Sequence, residues 1–493
     1  DAGNATEGTC VVPVPHDQSG REAIDDGVSY EVSLDDDECD DGAGGAGGAG
    51  GAGGAGGAGG EGGEGGAGGD AGAGGAGAMG GSGGEGGSTG PKGNCHSSVP
   101  DLLSDWAFFD DIRNQVPAED VVPVEVTSPL FTDYALKFRF VTIRGEEDAK
   151  IEFDNEARWL SPVGTTYIKT FAYPANQETC GDDCRDQLVE TRLVTHVAAE
   201  DNRLGCNGED SCWQVHVYVY DEEMTDAICT SGGAIVAIEY TAGECSGSGA
   251  RCVEDEDCMG GGQTCDPVQQ SVPNYAVPSN GLCRDCHGTF PNSRSLGPST
   301  GMLNRGNDYQ GNIVDDQIDA LVAAGMLTDP DVPEEDRTTY DDTDDWRACG
   351  DDNACVHDMA RSYFDSNCAH CHASDGEAEQ TGLWLDYFNM DPQLGDPGLP
   401  SEQDFTSWGV CKTPTSAGNV GNCPDGAIND IVPGNPDYSI LLCRIDSVAP
   451  GEMMAPVGRT LIHDEGLELL RRWVEILPDL FPNIPSCPPV IPE

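Results

Sequence analysis

Two pentads constrain this chain more than any other feature: Cys283-Arg284-Asp285-Cys286-His287 and Cys368-Ala369-His370-Cys371-His372. With 22 Cys and 9 His in 493 residues, about 0.02 pentads of the form Cys-x-x-Cys-His are expected by chance. Two thiols followed at once by an imidazole place two nucleophiles and a metal donor on one turn of chain. Covalent haem attachment needs this arrangement: one thiol for each vinyl group and a nitrogen for the iron. Paired Cys-x-x-Cys units also serve zinc and disulfides, but neither calls for a His directly after each pair. Two covalently bound haem c groups are therefore expected, held by Cys283 and Cys286 and by Cys368 and Cys371, with His287 and His372 as iron ligands.

The second axial ligand sets the redox character, since Met raises the potential and His lowers it. Glu452-Met453-Met454-Ala455-Pro456 precedes the last helical stretch, and Met454 is the expected ligand there, with Met453 second. For the first haem, Met302 in a Gly/Pro-rich loop, Met326 on a helix face, His357 and an open position all remain in play. His196 and His216 fall in strands and read as hydrogen-bonded residues, while His463 reads as a helix cap or a neighbour of the second haem.

The net charge is −64, from 88 acids and 24 bases. Such a surface repels nucleic acid and anionic lipid and suits a solvated protein or one that captures a basic partner. Twenty-two cysteines exceed what a reducing cytosol supports, so an oxidising, extracytoplasmic setting (periplasm, outer-membrane tether or cell surface) is expected. Beyond the pentads, neighbours in sequence include Cys180/Cys184, Cys206/Cys212, Cys349/Cys355 and Cys411/Cys423, with a regular series at Cys245, Cys252, Cys258 and Cys265. No apolar run reaches the length of a membrane span. The start, Asp1-Ala2-Gly3, shows no basic-then-apolar leader and reads as a mature form whose export signal is gone.

The composition changes along the chain. Residues 1–42 are acidic, with Cys10 and Cys39 as a candidate staple, and 43–93 are dominated by Gly and Ala. A tract of that kind buries nothing and reads as a flexible tether to a lipid or surface. Residues 94–244 open on a short amphipathic helix, Pro100–Phe109. Seven strand-like runs follow: Val121–Val126, Ala135–Ile143, Lys150–Phe153, Thr165–Phe171, Leu188–Val197, Trp213–Tyr220 and Ile235–Tyr240. A Cys-rich stretch, 245–270, precedes the first haem region, 271–345, and the second, 346–493. Helical periodicity marks Asp315–Met326, 357–367 and His463–Leu477. The expected fold is α+β: a β-sandwich-like antiparallel domain, then a mostly helical cytochrome c-like region of class I plan.

Ser128-Pro129-Leu130-Phe131-Thr132-Asp133-Tyr134-Ala135, Pro162-Val163-Gly164-Thr165, Ile168-Lys169-Thr170-Phe171, Glu190-Thr191-Arg192-Leu193 and Val272-Pro273-Asn274 precede the pentads; Gly382-Leu383-Trp384-Leu385-Asp386-Tyr387, Ile431-Val432-Pro433-Gly434-Asn435-Pro436, Met453-Met454 and Gly458-Arg459 follow. Over residues 100–477 this series resembles a family of bacterial dihaem c-type cytochromes with a β-rich N-terminal region. Similar proteins commonly read Met-Met-Pro where Ala455 follows Met454 here, and they do not obviously share Met302. The Gly/Ala tract and the Cys-rich stretch look like additions. The resemblance implies electron transfer outside the cytoplasm, with a redox protein or other carrier as partner. The alternative expectation is a dihaem redox enzyme, peroxidase-like, with an open sixth position at the first haem. A third is a surface module with haem as a structural core.

Overall fold

The computed structural model describes residues 93–487, apart from 94, 96–98, 178–184, 200–205, 207–209, 248–250, 253–257, 259–262, 289–293, 310–313, 391–399 and 416–421. The acidic segment 1–42, nearly all of the Gly/Ala tract, the Cys10/Cys39 staple and the Cys180/Cys184 pair lie outside the described residues.

After a one-turn 3-10 helix, Leu103–Trp106, and a two-stranded ribbon, β1 Phe109–Asp111 with β2 Val116–Pro117, the chain builds a six-stranded antiparallel sheet. Its strands are β3 Val122–Val124, β4 Leu136–Ile143, β5 Thr165–Tyr173, β6 Gln187–Ala198, β7 Ser211–Tyr220 and β8 Ala227–Cys229, each beside the next in sequence. β-Branched and aromatic residues at period two give the sheet apolar packing on both faces. On one face Phe140, Ile168, Leu193 and Tyr218 pack under Leu103 and Phe108. The other face carries Phe171 and Val217 against a second sheet, and Val122 and Val141 against Trp159, Ile318 and Leu321. The predicted strand at Lys150–Phe153 does not join the sheet. Ile151 bridges Leu327 and Glu152 bridges Leu160, so its apolar signal comes from one buried side chain in a loop.

The second sheet pairs β9 Ala234–Cys245 with β11 Cys265–Val277, and β10 Arg251–Cys252 lies on the outer edge of β9. These strands run through positions 245 and 270, where the composition changes. The cysteine-rich stretch is therefore the far end of a long hairpin, cross-braced by Cys245–Cys258 and Cys252–Cys265. The antiparallel sheets form the N-terminal part of the described chain, and a helical part follows.

The helices are α1 Asn280–His287, α2 Thr300–Leu303, α3 Gln317–Ala323, α4 Asn353–Asn367, α5 Glu402–Ser407, α6 Ile440–Ile445 and α7 Asp464–Leu480. α3 is shorter than its periodicity predicts: Asp316 caps it by accepting from Asp319 N at 3.0 Å, and Gly325, at φ 74°, follows its end. Met326 is thus left outside the helix. α4 starts earlier than predicted because Asp352 accepts from Ala354 N and Cys355 N. α7 runs three residues past its predicted end, with Pro478 in its last turn.

α4 and α7 share a core in which Tyr363 and Phe364 face Leu470, Trp473 and Val474. Their approach depends on Gly466: a Cβ there would lie 2.4 Å from Tyr363 Oη. Gly466→Ala gains about 1 kcal/mol of helix propensity but overpacks the crossing by about 1–3 kcal/mol. A net destabilisation is expected in urea unfolding, and an unchanged midpoint would show that the crossing has slack.

Seven disulfides brace the described residues. Cys206–Cys212 pins the β6–β7 hairpin, and Cys349–Cys355 closes as its sequence proximity suggests. Cys411 and Cys423 do not pair with each other: Cys411 bonds Cys487 and Cys423 bonds Cys443. The C-terminal tail returns past Cys411, whose Sγ lies 3.6 Å from Pro485 O. Cys423 packs instead on Ile440 and Cys443. Bridges in this number fit an oxidising, extracytoplasmic compartment. No described helix is long and apolar enough to cross a membrane.

Candidate haem-attachment cavity

Both pentads open onto one cavity of about 700 Å³, bounded by the open middle of the large sheet on one side and by the helical part on the other. Cys283, Cys286, His287, Cys368, Cys371 and His372 all line it. Of the 18 described cysteines, 14 form the seven disulfides, and the four left unpaired are the pentad cysteines.

The first pentad follows β11 directly. The extended run ends at Val277-Pro278, and Ser279 Oγ accepts from Leu282 N at 3.3 Å to start α1. Cys283 is buried in the core shared by the two sheets. His287 Nδ1 lies 2.8 Å from Arg294 O, which orients the ring and leaves Nε2 as the free donor. Burial holds this imidazole below its usual pKa, in the neutral form a metal takes.

The second pentad is the turn that closes α4. Cys368 N donates to Phe364 O at 2.8 Å and His372 N to Cys368 O at 2.9 Å. His372 is buried and pushed down to about 4, again neutral, with Nδ1 3.5 Å from Thr381 Oγ1.

The two pentads meet. Donor atoms of Cys286, His370 and Cys371 lie within 4.8 Å of one another, and Cys371 Sγ donates to Asp285 O at 3.2 Å. The proximity of Cys371 and His370 holds the Cys286 thiol below its usual pKa against the effect of burial. Burial raises Cys283 to about 11 and Cys368 to about 12.

Of the candidate axial residues, Met454 and Met302 line the cavity, whereas Met453, Met326 and His357 are not among its lining residues. Met326 packs with Ile151 and Leu321. His357 lies in the helical core, 5% exposed, and its Nδ1 accepts from Trp473 Nε1 at 2.9 Å. His196 is held by Ser161 O and Ser211 Oγ, and His216 by Gln214 Oε1. His463 precedes α7 and also lines the cavity, 3.0 Å from Tyr363 Oη.

Three residues that the pentads did not announce hold this arrangement together. Arg294 ties one pentad to the other: its carbonyl meets His287, and its guanidinium donates to His370 O at 2.9 Å and Asp375 Oδ2 at 2.7 Å. Arg459 donates to Met454 O at 2.9 Å, Ser447 O at 2.7 Å and Leu461 O at 2.9 Å, fixing the Met454 loop. Asp133, from the β-rich part, accepts from Thr460 N at 2.7 Å and Leu461 N at 2.8 Å. No regular spacing marks any of them. For Arg294 and Arg459 the available signal was residue type, since bases are scarce in a chain with 24 of them against 88 acids, and Asp133 and Arg459 both lie in stretches quoted for the family resemblance.

The cavity reverses the charge of the chain. Eight Lys and Arg line it against four Asp and Glu. The lining offers four thiols, two thioethers and the imidazoles of His287, His370, His372 and His463 in a cavity with excess positive charge, a donor set of the kind two thioether-linked haems and their carboxylates would use.

Comparisons with protein-family models, with curated proteins and with solved structures find no match to this chain.

Proposed function

We propose that this chain is an extracytoplasmic dihaem c-type cytochrome that relays electrons between redox partners, of the β-rich dihaem family that its sequence resembles. The observation that carries the reading is the convergence of the only four unpaired cysteines among the described residues, each pentad with its own neutral His, on one cavity. Every other described cysteine is oxidised to a disulfide, so unpaired thiols in the same compartment call for another covalent partner. Bound there, haem supplies a one-electron ferric/ferrous couple.

The chain's own residues do the rest. Cys283 with Cys286, and Cys368 with Cys371, anchor the two groups, and His287 and His372 offer Nε2 as donors. Met454 serves the second site and Met302 the first. The two sheets sharing one core fit the sandwich-like domain, and crossed α4 and α7 beside the second pentad fit the class I cytochrome plan. Periplasm, outer-membrane tether and cell surface all suit the disulfides.

A second reading rests on the Cys286, His370 and Cys371 cluster, which offers three donors of the kind a structural zinc takes. It leaves Cys283, Cys368, His287 and His372 without a role.

The deciding measurements are a haem-stained denaturing gel, a reduced pyridine spectrum and metal analysis of the purified chain. Two covalent haems, both low-spin and unmoved by carbon monoxide or peroxide, are expected. Stoichiometric zinc without haem would establish the second reading. A high-spin haem with peroxide turnover would establish a peroxidase-like enzyme and remove the carrier.

A further inference from the structure

The large sheet presents three cations in a row. Arg139 on β4 lies directly opposite Lys169 on β5, and Lys169 directly opposite Arg192 on β6. All three line the cavity. Like charges directly opposed on neighbouring strands destabilise a sheet, and a partly desolvated site magnifies the repulsion.

Carboxylates of the chain relieve the two ends of the row. Arg139 Nη1 meets Glu125 Oε1 at 2.8 Å. Arg192 makes a two-pronged contact with Glu190 at 2.9 and 2.6 Å, and Glu190, 0% exposed, also accepts from Tyr275 Oη at 2.8 Å. Lys169 in the middle makes no ion pair among the described residues; its ammonium stands 5.1 Å over the Phe171 ring. Burial and the neighbouring Arg139, Lys137 and Arg192 disfavour its charged form and outweigh the opposing field of Glu190. Phe171 packs in the same core as Cys283, so the row lies beside the first pentad.

A half-buried lysine between two satisfied arginines, in a chain with 88 acids available to neutralise it, marks a place where the anion arrives with the ligand. We infer that Lys169, flanked by Arg139 and Arg192, is the carboxylate seat of the cavity and receives a propionate of the haem attached at Cys283 and Cys286. The identity of the carboxylate rests on the proposed function; the existence of an anion seat rests on the charge row alone.

The test uses the full chain produced with haem attachment, as wild type, Lys169→Met and Lys169→Arg. Removing the cation leaves the propionate charge uncompensated, which favours ferric iron. With both haems attached, the midpoint potential of one haem should fall in Lys169→Met, the other should hold, and Lys169→Arg should restore the first. Loss of one haem in Lys169→Met but not in Lys169→Arg would support the seat equally. Two attached haems with both potentials unmoved would overturn the seat and leave the haem reading standing. A wild-type chain without covalent haem would overturn the haem reading instead. Succinate and inorganic phosphate then decide on the haem-free chain. A rise in melting temperature in wild type that is lost in Lys169→Met would support a seat for a free anion, and no rise, or the same rise in both, would overturn it.

Discussion

Replacing Cys283, Cys286, Cys368 and Cys371 together with Ala should yield a folded chain with no covalent haem. Replacing either pair should lower the haem-to-protein ratio from two to one. The four sulfurs take no part in the seven disulfides, so the bridges that brace the sheets and the helical core survive the change. Cys283 is the one most embedded in a core, and truncating so small a buried side chain costs on the order of 1 kcal/mol. A reduced pyridine spectrum and a haem stain read the ratio, and circular dichroism confirms the fold. Stain that persists in the four-Ala chain would place the attachment elsewhere and remove the basis of the proposed function.

The second large effect is on potential. Met454→His should lower the midpoint potential of one haem by on the order of a tenth of a volt or more, within the span of about 0.8 V that axial ligands set. A thioether favours ferrous iron, and an imidazole favours ferric. Met453→Ala should change neither potential, because Met453 does not line the cavity. The contrast is sharp because Arg459 and Ser447 fix the loop: Met454 O is held at 2.9 Å while Arg459 Nη2 also donates to Ser447 O at 2.7 Å. Equal shifts from Met453 and Met454 variants would show that the loop rather than the ligand controls the potential.

Much of the fold was legible because it is local. Strands β4, β5, β6, β7 and β9 follow from period-two alternation, and those of the large sheet pair with neighbours in sequence, whereas β11 was hidden in a stretch read as a separate Cys-rich segment. Helices α3, α4 and α7 followed from their apolar stripes, with ends moved where caps such as Asp316 and Asp352 decided them, while the helix predicted at Pro100–Phe109 is a single 3-10 turn, Leu103–Trp106, that runs into β1. Lys150–Phe153 misled because one buried Ile in a loop looks like a strand in a four-residue window. Cys411 and Cys423 misled because a disulfide needs thiols adjacent in space, and Cys487 reaches Cys411 across a separation of 76 residues.

By itself the sequence determined the chemistry on offer: two Cys-x-x-Cys-His units, a short set of Met and His donors, an acidic chain and an excess of cysteine. Covalent spacing within five residues is a local property, so no fold was needed to read it. Only the tertiary structure decided which donors come together. It placed Met302 and Met454 on the cavity, left Met453 off it and buried His357 behind Trp473. It brought Cys286 beside Cys371, 85 residues later in the chain, and gathered three cations from three strands onto one face. Those relations depend on strand register and helix crossing, which are set by the packing of side chains far apart in sequence.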